Sequence, residues 1–298
     1  MCTDGQCLEQ NSVKTLLQTL LQKTLQNAQA HFEDFTHTNE PESLHQYRVN
    51  LRMLRSVCKE FFDYLSPKRG LFLLDYLKML QKDTNHLRDI DVFIECINDY
   101  KSKVSPECVA LCHKIEAKLF KDRAKSITQL YTKQSCAKRA HYFDELLTLL
   151  VDAKLYRKKA EKTVLKPIKK IIAHRLQKIK KLSSHLSLES PNEQFHNLRL
   201  HYKKIRYTTD CACLGNREHA LNAFSQSFKP LQTALGEVQD KNTQIGHLRE
   251  LNLKHDVCAQ QFIAMIEDAL REDKQNCIEI SSKAFMDEMK QTFQAIFA

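Results

Sequence analysis

The sequence predicts an all-α protein made of two pseudo-symmetric helical bundles, and three observations carry that expectation. Chain breakers are scarce, with 5 Gly and 6 Pro among 298 residues. Apolar residues recur at three- and four-residue intervals over long stretches, with no run of strict alternation that would read as strand. One charged and apolar pattern also recurs 151 positions later, which is how an internal duplication shows itself. At 42% apolar residues the chain can fill the cores of two average domains or one large one.

Helices are expected in order over 10–37, 42–65, 68–86, 88–101, 106–134 and 137–160 in the first half. The second half continues with 161–188, 192–214, 217–236, 240–254, 256–273 and 277–296. The first rests on the stripe Leu17, Leu21 and Leu25. Pro41, Pro67, Pro106 and Pro191 stand where helices begin, which suits a residue with fixed φ and no N–H to donate. Pro167 falls inside a periodic stretch and predicts a bend or an early first turn. The remaining helices rest on periodicity alone. The two halves are set at 1–155 and 156–298.

The second helix holds the informative stretch, "LHQYRVNLRMLR". Leu44, Tyr47, Leu51, Leu54, Cys58, Phe61 and Leu65 form its apolar stripe. His45, Arg48, Arg52 and Arg55 fall within an arc of roughly 80° beside that stripe and run about 15 Å along the axis. A row of one sign bordering a packed seam is expected to line a groove; a plain solvated face would mix signs. The stretch "FHNLRLHYKKIR" repeats the row as His196, Arg199, Lys203 and Arg206, with Phe195, Leu198, Tyr202 and Ile205 in the apolar register. The shift, 196 − 45 = 151, also carries Asp89 onto Asp240, Lys78 onto Lys229, and Leu17, Leu21 and Leu25 onto Ile168, Ile172 and Leu176. Duplicated units suggest an approximate twofold, with the two charged helices facing each other across the junction.

These segments resemble the CHAD domain, the conserved histidine α-helical domain. The likeness lies in "HQYRVNLRMLR", "HLRDIDV", "HNLRLHYKKIRY" and "LGEVQD", in that order, and runs from about residue 10 to the C-terminus. It implies a basic groove or pore between two four-helix-type bundles that binds inorganic polyphosphate. The implied contacts are His45, Arg48, Arg52, Arg55, His196, Arg199, Lys203 and Arg206. Met53, Leu200 and His201 depart from the pattern at commonly basic positions. Lys204 and the basic stretch 154–181 are placed to compensate. CHAD domains are often fused to a triphosphate-tunnel domain, but its ExExK signature does not occur here.

Charge points the same way. The chain carries a formal +10, and from Lys154 to Lys181 twelve Lys and Arg face one acid, Glu161. By contrast the tail from Asp256 onward holds eight acids and four bases. Second-tier contacts are expected at Lys78, Lys82, Lys229 and along the basic helix at Lys170, His174, Lys178 and Lys181. The first half has Thr19, Asn27 and Ala30 where Lys170, Lys178 and Lys181 stand, so binding is expected to be stronger towards the second half.

Arginine offers a planar fork to two phosphate oxygens and lysine a mobile point charge. Like charges one turn apart cost roughly 0.2–0.5 kcal/mol per pair, against roughly 1.5–3 kcal/mol for each charge-assisted hydrogen bond. A bound polyanion therefore outweighs the repulsion. Neighbouring cations are expected to keep His45 and His196 mostly neutral until phosphate favours their protonation. The structural alternative is a histidine that packs a helix junction through a neutral hydrogen bond.

Several classes find no motif. Asp89, Asp91 and Asp240 lack the neighbouring histidine pairs of a metal phosphohydrolase and read as helix-start or arginine-steadying residues. There is no P-loop or nucleophile elbow. The expectation is a non-enzymatic protein without metal or cofactor, whose partner is polyphosphate. The alternatives are a nucleic-acid-binding helical protein, disfavoured because aromatics do not interleave with the row, or a phosphoanhydride hydrolase accessory. The 11 cysteines, including Cys108, Cys112, Cys211 and Cys213, form no zinc pattern and are expected as reduced thiols. "MCTDGQCLEQ" lacks the features of a signal peptide, so a cytoplasmic protein is expected, in one version associated with polyphosphate granules.

Overall fold

The computed structural model describes residues 11–211, 218–251 and 256–297. The first ten residues and Cys213 lie outside them. The described chain is all-α. Two compact units emerge, an N-terminal one over Asn11–Val164 and a C-terminal one from Leu165 onward.

The N-terminal unit contains α1 (Val13–Thr38), α2 (Pro41–Glu60), α3 (Pro67–Lys82), α4 (Asn85–Lys101), α5 (Pro106–Leu130) and α6 (Lys133–Val151). The Ser12 side chain caps α1 by accepting from Thr15 N. Asn39 ends α1 in the left-handed region at φ 56°, where an Asn side chain is tolerated. Its Oδ1 accepts from the Tyr131 hydroxyl at 2.9 Å, and its carbonyl accepts from Arg123 at 2.7 Å. Prolines open α2, α3 and α5, as their sequence positions predict. The core stacks Leu17, Leu21, Leu25 and Phe35 of α1 with Leu44, Tyr47, Leu51 and Leu54 of α2, all buried. Phe32 and Tyr47 meet with ring centroids 4.9 Å apart.

The helix expected over 137–160 ends early, at Val151. Beyond it the chain forms a return strap of two short 3-10 turns and extended backbone that pairs across the unit. Ser66 N donates to Leu155 O, Arg157 N to Tyr64 O, and Val13 N to Lys162 O. Leu155, Tyr156, Ala160 and Val164 of the strap are buried. These bonds tie 153–164 to the N-terminal unit, so the division falls at 164/165, whereas the sequence set it at 155/156.

The C-terminal unit contains α7 (Leu165–Ser183), α8 (Asn192–Cys211), α9 (Glu218–Ser227), α10 (Lys229–Glu250), α11 (Val257–Ile280) and α12 (Lys283–Ile296). Pro167 sits in the first turn of α7, where no N–H is missed. Helix starts recur at nearly one spacing: 192 − 41 and 257 − 106 each give 151, while α7 follows α1 by 152 and α12 follows α6 by 150. Only α10 breaks step. It starts at Lys229, with Pro230 in its opening turn, and not at residue 240 as the sequence suggested. The last break falls at Ser281–Ser282, where the Ser282 hydroxyl accepts from Phe285 N, later than the expected 273–277 gap. Phe195, Leu198, Tyr202 and Ile205 of α8 are fully buried, as are Ile168 and Ile172 of α7.

Cys58, Cys96, Cys112, Cys136 and Cys277 are free thiols. Cys108 and Cys258 are each disulfide-bonded, which corrects the expectation of uniformly reduced cysteines. Among the described residues no helix is long and apolar enough to cross a membrane.

Candidate functional site

In the N-terminal unit the row on α2 lies against the α3–α4 junction, and the four side chains differ in what they do there. Arg48 is 6% exposed. Its Nη1 donates to Gln81 O at 3.0 Å, Thr84 Oγ1 at 2.9 Å and Asn85 Oδ1 at 2.9 Å. Burial, and then the charge of Arg52, bring its pKa down to about 10, against the pull of Asp89. Arg48 is therefore a structural pin of this junction through Nη1, a role beside the direct contact that its sequence position suggests. Arg55 is half-buried and donates from Nη1 to Gln81 Oε1. Arg52, between them in height, is half-buried and has no hydrogen-bond or ion-pair partner among the described residues.

His45 completes the row. Burial first, then the charge of Arg88, lower its pKa below the ordinary 6.5, with Glu42 opposing and Arg52 and Arg48 adding to the effect. Arg88 lies within the "HLRD" segment, where sequence alone gave it no role. It is mostly buried and reaches Glu95 at 3.7 Å.

The C-terminal row lies against α10. His196 Nδ1 is 2.6 Å from Gln239 Oε1. Because Gln239 Nε2 donates to Thr243 Oγ1 at 3.3 Å, its Oε1 is the atom left to accept, which puts the ring proton on Nδ1. Nε2 of His196 then remains for another partner. The Arg199 guanidinium crosses Gly236, whose missing Cβ would stand 3.8 Å from Nη2. Arg206 donates to Gln232 Oε1 at 3.3 Å, and Lys203 is half-buried on the same flank.

The contacts repeat along with the residues. Arg55 meets Gln81 and Arg206 meets Gln232, each residue of the second pair 151 positions after its counterpart. Likewise Arg48 meets Asn85 while Arg199 passes Gly236. In the N-terminal row the partners of Arg48 and Arg55 are amide, hydroxyl and carbonyl oxygens. Among the described residues no side chain of the N-terminal row is ion-paired to a carboxylate, while Arg206 approaches Asp210 at 4.0 Å.

The rest of the expected contacts scatter. Lys78 and Lys82 are exposed on α3, and Lys229 is exposed at the start of α10. Lys170, Lys178 and Lys181 are exposed on α7. At 100° per residue Lys204 falls on the flank of α8 opposite to the row, away from Lys203. Asp91 serves neither row: its buried Oδ1 accepts from Arg123 Nε at 2.7 Å. Asp89 does act on the row, through its field on Arg48. No group of three or more His, Cys, Asp or Glu that could hold a metal occurs among the described residues.

A CHAD domain profile matches residues 19–249. The chain belongs to the CHAD domain family. Two solved structures share its fold. One, the crystal structure of the CHAD domain from the plant Ricinus communis, aligns at TM-score 0.62 with 18% identity over 99% of this chain and 94% of that one. The other, PptA from Streptomyces chartreusis, aligns at TM-score 0.65 with 15% identity over 95% of this chain and 100% of that one. No curated protein is significantly similar to the chain in sequence. Within this CHAD protein the two basic rows coincide with two of the segments that carried the resemblance, "HQYRVNLRMLR" and "HNLRLHYKKIRY".

Proposed function

We propose that this CHAD protein binds inorganic polyphosphate, without turning it over, through the basic flanks of α2 and α8. One observation carries this reading. The N-terminal row gathers His45, Arg48, Arg52 and Arg55 on one helix flank, and its described contacts are neutral oxygens and no carboxylate ion pair. Arrays kept for stability alone are normally offset by acids, because an uncompensated cation in a half-buried setting is costly. Phosphate oxygens spaced along a polymer would supply that compensation. The repeat of the row in α8, and of its glutamine contacts, supports two such tracks formed by duplication. Membership of the CHAD family supports the choice of polyphosphate.

The direct test is a titration of the full chain with polyphosphates of several lengths at rising ionic strength. Affinity is expected to grow with polymer length and to fall steeply with salt, as phosphate contacts exchange with condensed counterions. DNA of equal charge that displaces the polymer equally well would shift the assignment to nucleic acid. Phosphate released in the presence of Mg²⁺ would overturn the non-enzymatic part.

Binding is also expected to strengthen as pH falls from about 8 to 6. His45 has a lowered pKa in the empty protein, and phosphate beside it favours the imidazolium, so binding takes up a proton. The gain begins as pH drops through the pKa of the complex and levels off below that of the empty site. Isothermal titration of wild type and His45→Gln in matched buffers measures it. A slope unchanged in the variant removes His45 from the electrostatics.

A further inference from the structure

Helix α8 has a second cationic flank, on the other side of its buried stripe. Counted from His196 at 100° per residue, the row occupies roughly 280–360°, whereas Lys204 and His201 fall near 80° and 140°. That flank turns to α7, where Arg175 Nη1 lies 3.3 Å from His201 Nδ1. Both side chains are half-buried. Burial, then the charges of Arg175, Lys204, Lys178 and His174, press the His201 pKa down to about 4.

The contact has a chemical consequence. A guanidinium only donates, so His201 Nδ1 accepts, and the imidazole is neutral with its proton on Nε2. Protonating the ring would set two donors against each other at 3.3 Å. That arrangement becomes favourable only with an anion to accept from both. Nothing in the repeated architecture requires the cluster. The positions 151 earlier are Lys23, Thr24, Asn27, Asn50 and Met53, with one cation among the five, and Thr24 is buried. The cluster is thus particular to the C-terminal unit.

We propose that the α7–α8 face of the C-terminal unit is a second phosphate-binding site, in which Arg175, His201 and Lys204, flanked by His174 and Lys178, take the oxygens of a polyanion while His201 gains a proton. It rests on the polyphosphate reading and adds a separate track with its own pH response. Binding breaks the Arg175–His201 hydrogen bond. Both groups then donate to the ligand, and the proton comes from solvent.

The test follows His201 by histidine proton resonance in the full chain, assigned with His201→Asn, which places there the residue that stands at position 50. Saturation with inorganic polyphosphate is expected to raise the His201 midpoint by about one unit or more. Arg175→Glu, checked for an unchanged helical signal and melting profile, is expected to weaken binding about tenfold at pH 6. Wild type that binds polyphosphate while the His201 midpoint stays in place overturns the second site and leaves the rows on α2 and α8 standing. Wild type that binds no polyphosphate overturns both.

Discussion

Arg52→Glu combined with Lys203→Glu is expected to remove polyphosphate binding. Arg52 has no hydrogen-bond or ion-pair partner among the described residues, so its substitution breaks no described bond. Lys203 is its counterpart 151 positions on, half-buried on the same flank of α8 as Arg199 and Arg206. Charge-assisted hydrogen bonds contribute roughly 1.5–3 kcal/mol each, so losing one from each row weakens binding about 10²- to 10⁴-fold. Reversed charge adds repulsion to that loss. Each single variant should fall between wild type and the pair, because each unit contributes its own row. Fluorescence anisotropy with labelled polyphosphate reads the affinity, and circular dichroism with thermal melting reads the fold. A folded double variant within threefold of wild type would sink the assignment of these flanks.

Arg48→Ala is expected to act on stability first. The substitution strips three acceptors, the Gln81 carbonyl, the Thr84 hydroxyl and the Asn85 amide oxygen, of one shared donor. Thr84 is fully buried, so water does not readily replace that donor. An orphaned buried polar group costs about 1–3 kcal/mol. Removing a desolvated cation beside Arg52 and Arg88 returns part of that. The net loss is about 2–4 kcal/mol, or roughly 5–15 °C in Tm for a unit of this size. Urea or thermal denaturation measures it. A Tm shift under about 2 °C would mean that Arg48 does not pin the α3–α4 junction. For the same reason charge reversal at Arg48 is a poor probe of binding, since unfolding would imitate loss of a contact.

Much of the architecture was legible because helical periodicity is a local property. Leu44, Tyr47, Leu51 and Leu54 stand three or four positions apart, and all four are buried. Pro41, Pro67 and Pro106 open helices because the missing N–H is harmless in a first turn. Elsewhere local signals misled. Periodicity runs on through 152–160, yet backbone pairing of Leu155 with Ser66 and of Arg157 with Tyr64 makes a strap instead. The α9–α10 break is set by Pro230 in the first turn of α10, a signal that apolar periodicity does not register.

The candidate site was legible as a row but not as a division of labour. Charge and spacing placed His45, Arg48, Arg52 and Arg55 on one flank without distinguishing them. The distinction comes from residues 26 to 37 positions away, where Gln81, Thr84 and Asn85 hold Arg48 and Arg55 while Arg52 is passed over. Arg88 escapes sequence reasoning although it lies inside "HLRD", because its field on His45 crosses from α4 to α2. His201 stands as a departure from the family pattern in sequence, and gains a meaning only with Arg175 of α7 against it.

By itself the sequence determined the helical class, the 151-residue spacing, the buried stripes and the two cationic flanks. Each arises from side chains three to four positions apart on one helix, whose geometry is independent of neighbours. Only the tertiary structure decided which cations are spent on the protein's own carbonyls and amides, as Arg48 is, and which, like Arg52, are not. Hydrogen-bond partners and desolvation are supplied by other helices, and their identity is settled when those helices pack.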